Sequence, residues 1–340
     1  MNIAVIAKVA HPIKEPFSGG LESFTHMICE QYAAYGHSVT LYAHRDSDPA
    51  FTVISFNDPS NFRGKHASQY EADEYLAIVK DIESKQFDVV HNNSVHSLPL
   101  IWGARSTIPM ITTLHTPPYS ALKAVSSLSS YSSNLHFVSV SKSLRKSWQP
   151  FIHSHISVIH NGIHTEQWHP TAEKEPYLFW YGRILHNKGL DIALDLAHDL
   201  KAPLYFAGPI ADTSYFDTQI TPRIKESDTY LGHLTQKEIN TYLSKARALV
   251  NSARWEEPFG LSTAEAMAAG TPVIGFDRGA LREIIQEKGG AVATGTTVQS
   301  LKEALHESET IHQKTIVDQS RHFGIQRMVK QYLEYFEELL

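Results

Sequence analysis

Residues 248–276, ALVNSARWEEPFGLSTAEAMAAGTPVIGF, gather charged, glycine and helix-forming residues in one segment. The pattern reads as a strand, a loop, a helix, a glycine stop at Gly270 and a second strand. That layout sets the backbone N–H groups of Phe259, Gly260 and Leu261 at or just before a helix N-terminus. Unpaired donors and the helix dipole there favour an anion such as a diphosphate, and Gly260 carries no Cβ to hold the anion away. Two carboxylates, Glu257 and Glu265, bracket the stretch with seven residues between them. Taken alone the pair is ordinary: Glu257 reads as a solvated loop charge and Glu265 as a partner of the helix dipole in an early turn.

Such a loop needs a scaffold of alternating strands and helices, and the chain supplies it twice. Strands are expected at 3–7, 39–43, 89–91, 110–114, 137–140 and 157–159, with helices over 21–35, 71–84 and 141–148. Leu21, Phe24, Ile28, Tyr32 and Tyr35 mark one apolar face of the first helix, and Gly36 supplies its stop. A polar, proline-bearing stretch at 165–176 reads as a linker. Beyond it, strands are expected at 177–181, 204–207, 229–231, 248–251 and 272–276, and Thr235 with Glu238 forms a capping-box signature before a helix ending near Ala246. The expected fold is α/β: two Rossmann-like, doubly wound parallel-sheet domains facing each other across a cleft. Length agrees, since 340 residues exceed the ~250 at which single cores stop growing.

Composition narrows the function. A formal net charge of -6 argues against a broad basic surface for nucleic acid. The twenty histidines are scattered rather than set at metal-ligand spacings, no HExxH occurs, and the single cysteine, Cys29, lies on an apolar helical stripe. Neither a structural zinc site nor a disulfide framework is expected. The start, MNIAVIAKVA, reads as a strand rather than a signal peptide, and no run approaches the ~18 apolar residues of a membrane span. A cytoplasmic location is expected, with a peripheral place at the membrane surface left open.

Glu257 and Glu265, enclosing PFG and followed by EAMAAGTPVI, resemble the donor-site motif of glycosyltransferase family 4, retaining enzymes of the two-domain GT-B fold. The resemblance implies that Glu257 contacts hydroxyls of the donor sugar and Glu265 the nucleotide ribose. YGRILHNKG, at 181–189, is similar to the family's G-R-x-x-x-x-K-G element, so that Arg183 and Lys188 would neutralise the donor diphosphate, one as a planar fork and the other as a point charge. FSGGLESF resembles the family's glycine loop over the donor phosphates. Gly19 and Gly20 would let N–H groups approach an anion, although a Gly-Gly alone is more often a turn, and the loop is not a G-x-G-x-x-G. His115, in TLHTPP, corresponds to the family's histidine near donor sugar and acceptor. Thr116 stands where the family usually has an acid, so that acid's role does not transfer. Asn161 and Gly162 resemble the family's turn out of the first domain, and the turn at His233 and Leu234 is a candidate to face the base.

The domains implied are an N-terminal acceptor-side domain at 1–164, a C-terminal nucleotide-sugar-binding domain at 165–320, and a C-terminal helix at 321–340 packing back toward the first. The implied reaction moves a sugar from a nucleotide diphosphate, a UDP-sugar ahead of a GDP- or ADP-sugar, to a small-molecule, glycan or lipid-linked hydroxyl acceptor. It would proceed with retention and without a metal or other cofactor. A sugar-nucleotide epimerase or phosphorylase on the same fold, or a non-catalytic sugar-nucleotide-binding protein, stays open as an alternative. Three lookalikes are set aside. Asp46-Ser47-Asp48 has the D-x-D form of a metal-binding motif but reads as a solvated loop. Asn92-Asn93-Ser94 is a glycosylation sequon that matters only in a secreted protein. Lys142, Arg145 and Lys146 with Trp148 could touch anionic lipid, but read first as a solvated helix face.

Overall fold

The computed structural model describes residues 1–58, 60 and 66–340. The chain divides into two compact units, Met1–Asn161 with Gln326–Leu340, and Gly162–Ile325. The N-terminal unit is built on a parallel sheet of β1 (Asn2–Ile6), β2 (Ser38–Tyr42), β3 (Thr52–Ile54), β4 (Val89–Asn92), β5 (Met110–Leu114), β6 (Leu135–Ser139) and β7 (Ile156–Val158). Its strand order is β3-β2-β1-β4-β5-β6-β7. Strands covered on both faces must be apolar throughout rather than alternating, and residues 3–7 of β1 and its exit are fully buried.

Helix Gly20–Ala34 crosses from β1 to β2 and buries Phe24, Ile28 and Tyr32. It ends where Gly36, at φ +83°, donates its N–H to Ala33 O, a backbone conformation that costs other residues about 1–2 kcal/mol. Cys29 lies within the same buried face, and burial pushes its thiol pKa up. The last helix, Ile325–Leu339, adds Met328, Val329, Tyr332 and Phe336 to the core of this N-terminal unit. Tyr332 and Phe336 lie against Tyr32, Phe24 and His91.

The second unit carries β8 (Leu178–Tyr181), β9 (Leu204–Ala207), β10 (Thr229–Tyr230), β11 (Ala248–Asn251), β12 (Val273–Phe276) and β13 (Gly290–Ala293) in the order β10-β9-β8-β11-β12-β13. Thr235 and Glu238 close a capping box on helix Gln236–Leu243. Two strands escaped the sequence reading. β3 has only three residues, and β13 is a Gly-Ala run with little intrinsic strand preference. Its Gly290 fits because a Cβ there would lie 1.9 Å from Val273 O. Among the described residues no helix is long and apolar enough to cross a membrane.

Candidate functional site

In the C-terminal sheet the connections reverse between β8 and β11. One run of strands proceeds outward from β8 and the other from β11, and the two are hydrogen-bonded neighbours. Loops leaving the carboxyl ends of such a pair diverge and leave a crevice, where α/β sheets bind ligands. Arg183 and Lys188 follow β8; Glu257, Phe259, Gly260 and Leu261 follow β11.

The structure brings Lys188 and Glu257 together. Lys188 Nζ lies 2.6 Å from Glu257 Oε2, each side chain being 19% exposed. Trp255 completes a triangle: its indole Nε1 donates to the same carboxylate oxygen over 2.9 Å, and its ring lies 4.6 Å from Lys188 Nζ. Arg183 is exposed and makes no ion pair among the described residues. Gly260 caps helix Leu261–Ala268 at φ +85° without a side-chain cap bond. A Cβ on it would lie 3.2 Å from Thr263 Oγ1 and 3.6 Å from Glu257 Cγ, which sets the helix start directly beside the Glu257 side chain. Phe259 is buried and packs edge-on against Phe323.

Glu265, read in isolation as a helix-dipole partner in an early turn, lies beyond the first turn of helix Leu261–Ala268. It is 5% exposed and accepts hydrogen bonds from the Tyr181 hydroxyl, at the end of β8, and from Gln236 Nε2 at 3.4 Å. Burial, and then the Glu265 charge, raise the Tyr181 pKa well above its ordinary value, so the hydroxyl stays a neutral donor. His233 is exposed beside Leu234.

A second layer holds these loops. Arg254 grips Asp191 with two bonds of 2.7 and 2.6 Å and also donates to His186 O, while Tyr215 donates to Asp191 over 2.6 Å. Burial opposes the Asp191 charge, but the Arg254 and Tyr215 hydrogen bonds outweigh it and keep the carboxyl below the usual range. The segment carrying Lys188 is thereby tied to the loop carrying Glu257. Gly279 fixes the other side: at φ +57°, a Cβ on it would lie 2.2 Å from Glu257 O. Trp255, Arg254, Asp191, Tyr181 and Gln236 were not singled out from sequence. Only Arg254 and Trp255 carried a signal, by adjacency to Glu257.

In the N-terminal unit, Gly19 and Gly20 stand at the start of the helix leaving β1, and His115 follows β5. His115 Nε2 lies 2.9 Å from Asn93 Oδ1, and Phe24 from that helix packs edge-on against its ring at 4.7 Å. Burial lowers the His115 pKa to about 3. Below it, His91 bonds Tyr32 and Thr113, and Thr113 bonds Tyr332.

The lookalikes resolve individually. Only Asp46 of the D-x-D triplet is well exposed. Ser47 is buried and accepts from Ile13 N, and Asp48 pairs with His26 at 3.1 Å, so the triplet is a folded turn rather than a fully solvated loop. The sequon Asn92-Asn93-Ser94 is buried. Lys142, Arg145 and Lys146 are exposed, but Trp148 is buried and donates to Thr116 O, so it does not share their face.

Residues 18–167 match the family model described as Glycosyltransferase Family 4, and residues 164–320 the model described as Glycosyl transferases group 1. Between them the two models account for most of the chain. The chain belongs to glycosyltransferase family 4. A glycogen synthase of Mycobacterium tuberculosis is 32% identical over 141 residues, 38% of this chain and 34% of that relative. The match thus spans about a third of that relative's length. The sucrose-phosphate synthase from Thermosynechococcus elongatus superposes with a TM-score of 0.84 at 17% identity, covering 100% of this chain and 99% of that one. Anabaena HepE, solved in complex with UDP and glucose, gives a TM-score of 0.78 at 18% identity over 99% and 100%. At these identities the structural likeness shows the fold, which is GT-B: two parallel-sheet α/β domains.

Proposed function

We propose that this protein is a glycosyltransferase that transfers a sugar, with retention, from a UDP-sugar to the hydroxyl of a small-molecule, glycan or lipid-linked acceptor. The C-terminal unit would take the donor and the N-terminal unit the acceptor. The observation that carries the reading is the meeting of Lys188, Glu257 and the Gly260 helix start at the β8/β11 reversal, with Glu265 beside them on the same helix. UDP is favoured because HepE, of the same fold, was solved with it.

Cleaving the bond between sugar and diphosphate places negative charge on the departing phosphate and positive charge on the ring. In this reading Lys188 and Arg183, with the N–H groups of Gly260 and Leu261, stabilise the phosphate and take the part a metal plays elsewhere. The Gly19–Gly20 turn offers further N–H donors. Glu257 accepts from sugar hydroxyls, and Glu265 from the ribose. His115, held neutral by burial, accepts or donates one hydrogen bond to a substrate hydroxyl rather than bearing charge. The leaving phosphate assists the incoming hydroxyl on the same face, so no protein nucleophile is required.

Calorimetric titration separates the two carboxylates. Glu265→Gln should weaken UDP and the full donor alike. Glu257→Gln should leave UDP affinity nearly intact while transfer falls, because its contacts matter at the reacting sugar. Equal losses for both ligands in Glu257→Gln remove its sugar role, and transfer abolished by chelator and restored by Mg²⁺ or Mn²⁺ removes the metal-free route.

A further inference from the structure

Lys188 and Glu257, which the donor-site reading assigns to different parts of one ligand, are paired with each other. Lys188 Nζ is bonded to Glu257 Oε2, and a diphosphate bound beside it would compete with that carboxylate for the three N–H donors of the ammonium and can draw it away. When it does, Glu257 loses its charged partner. Oε2 then has one hydrogen bond left from a described residue, the Trp255 indole N–H at 2.9 Å. A carboxylate can accept at about four lone-pair sites, and Oε1 accepts from no described side chain, so it is open to a hydroxyl.

Resting on the donor-site reading above, we propose that Trp255 is a positioning residue for the donor sugar. Its indole N–H keeps the Glu257 carboxylate aimed after the diphosphate has drawn Lys188 off, and its ring face carries Lys188 through the exchange. The geometry suits both tasks at once. The N–H lies in the ring plane and reaches the carboxylate, while the ammonium sits 4.6 Å from the ring centroid, where the π-face attracts a cation. The loop backbone cannot drift to compensate. Ala280 N donates to Glu257 O over 2.9 Å, Arg254 N donates to Asn187 O over 2.8 Å, and Gly279 closes against Glu257. Only the Glu257 side chain is left to be steered.

Trp255→Phe tests this, since it keeps an aromatic face under Lys188 and removes the N–H. Trp255 is partly exposed, so the variant should fold, and its melting temperature checks that. Calorimetry with UDP and with UDP-glucose, without acceptor, is run on wild type, Trp255→Phe and Lys188→Ala, alongside transfer kinetics. Trp255→Phe is expected to bind UDP within about threefold of wild type, to lose about tenfold in the extra affinity conferred by the sugar, and to lose a similar factor in kcat, the size of one charge-assisted hydrogen bond. Equal losses for both ligands, or none for either, overturn the Trp255 assignment. Lys188→Ala reports on the underlying reading separately: unchanged UDP affinity there overturns the diphosphate site itself, whatever Trp255→Phe does. Indole emission adds a check without the sugar. UDP should change the wild-type spectrum as Lys188 leaves the ring, and a change of equal size in Trp255→Phe counts against the exchange.

Discussion

The strand ends of the two sheets are furnished on opposite principles. At the N-terminal sheet the polar groups are neutral: His91 bonds Tyr32 and Thr113, Thr113 bonds Tyr332, and His115 bonds Asn93, whose buried Nδ2 alone in this group has no partner among the described residues. Burial lowers the pKa of both histidines to about 3, so they remain uncharged in ordinary solution. At the C-terminal sheet the polar groups are ions: Lys188 with Glu257, Arg254 with Asp191, and Glu265 beside Tyr181. A neutral network specifies shape and resists salt, whereas a charged one holds energy that an ionic ligand can redirect. The difference fits the proposed division of labour, with a hydroxyl acceptor at the one unit and a diphosphate at the other.

Lys188→Ala should produce the largest effect, a loss of about 100-fold in kcat/KM, on the order of 3 kcal/mol, because in the proposed donor site it removes a cation from the phosphate side and leaves Glu257 without its ion-pair partner. Steady-state kinetics over a range of salt checks it: wild-type donor affinity should fall as salt rises, and the variant should respond less. A variant with wild-type kcat/KM breaks the contrast between the two sheets.

The N-terminal network should answer to acid instead. His91 titrates near pH 6.5 when unfolded and about 3 when folded, so the unfolded chain binds the extra proton. Stability from this group is therefore full above about pH 6.5 and falls as pH drops toward the folded value, about 2 kcal/mol being lost by about pH 5. Thermal melts across that window should show a shallower pH slope for His91→Gln than for wild type. An unchanged slope assigns the acid sensitivity to other histidines.

A smaller effect is expected from Arg254→Lys, which keeps the charge but loses the two-bonded grip on Asp191. KM for the donor should rise by roughly fivefold, about 1 kcal/mol, with kcat nearly constant. The least is expected from Arg282→Ala: the Arg282–Asp277 pair is exposed on both sides, 64% and 51%, and its loss should move stability by less than about 0.5 kcal/mol in a denaturant titration. A large change there shows that exposure does not separate structural from functional ions in this unit.

The legible parts of the molecule were those encoded locally. Buried parallel strands announce themselves as apolar runs, and the Gly260 helix start, with Glu257 and Glu265 around it, lies within nine residues of sequence. What was illegible depends on partners far along the chain. Lys188 is 69 residues from Glu257, and Tyr181 is 84 from Glu265. Nothing in YGR or RWEE says that the tyrosine will hold one carboxylate and the tryptophan another. Asp191, in the first turn of helix Leu190–Leu200, is likewise held by Arg254, 63 residues further along.

The placement of the final helix has a consequence for how the chain is made. Met328, Tyr332 and Phe336 belong to the N-terminal unit, so residues 162–325 are an insertion within it, and the ribosome releases the last piece of the first unit only after the whole of the second. The order of synthesis and the order of completion are therefore reversed. The second unit has all its parts while the first still waits with Tyr32 and His91 uncovered. A chain terminated and released after residue 325 should thus present a finished C-terminal unit and an N-terminal one that chaperones and proteases recognise as incomplete.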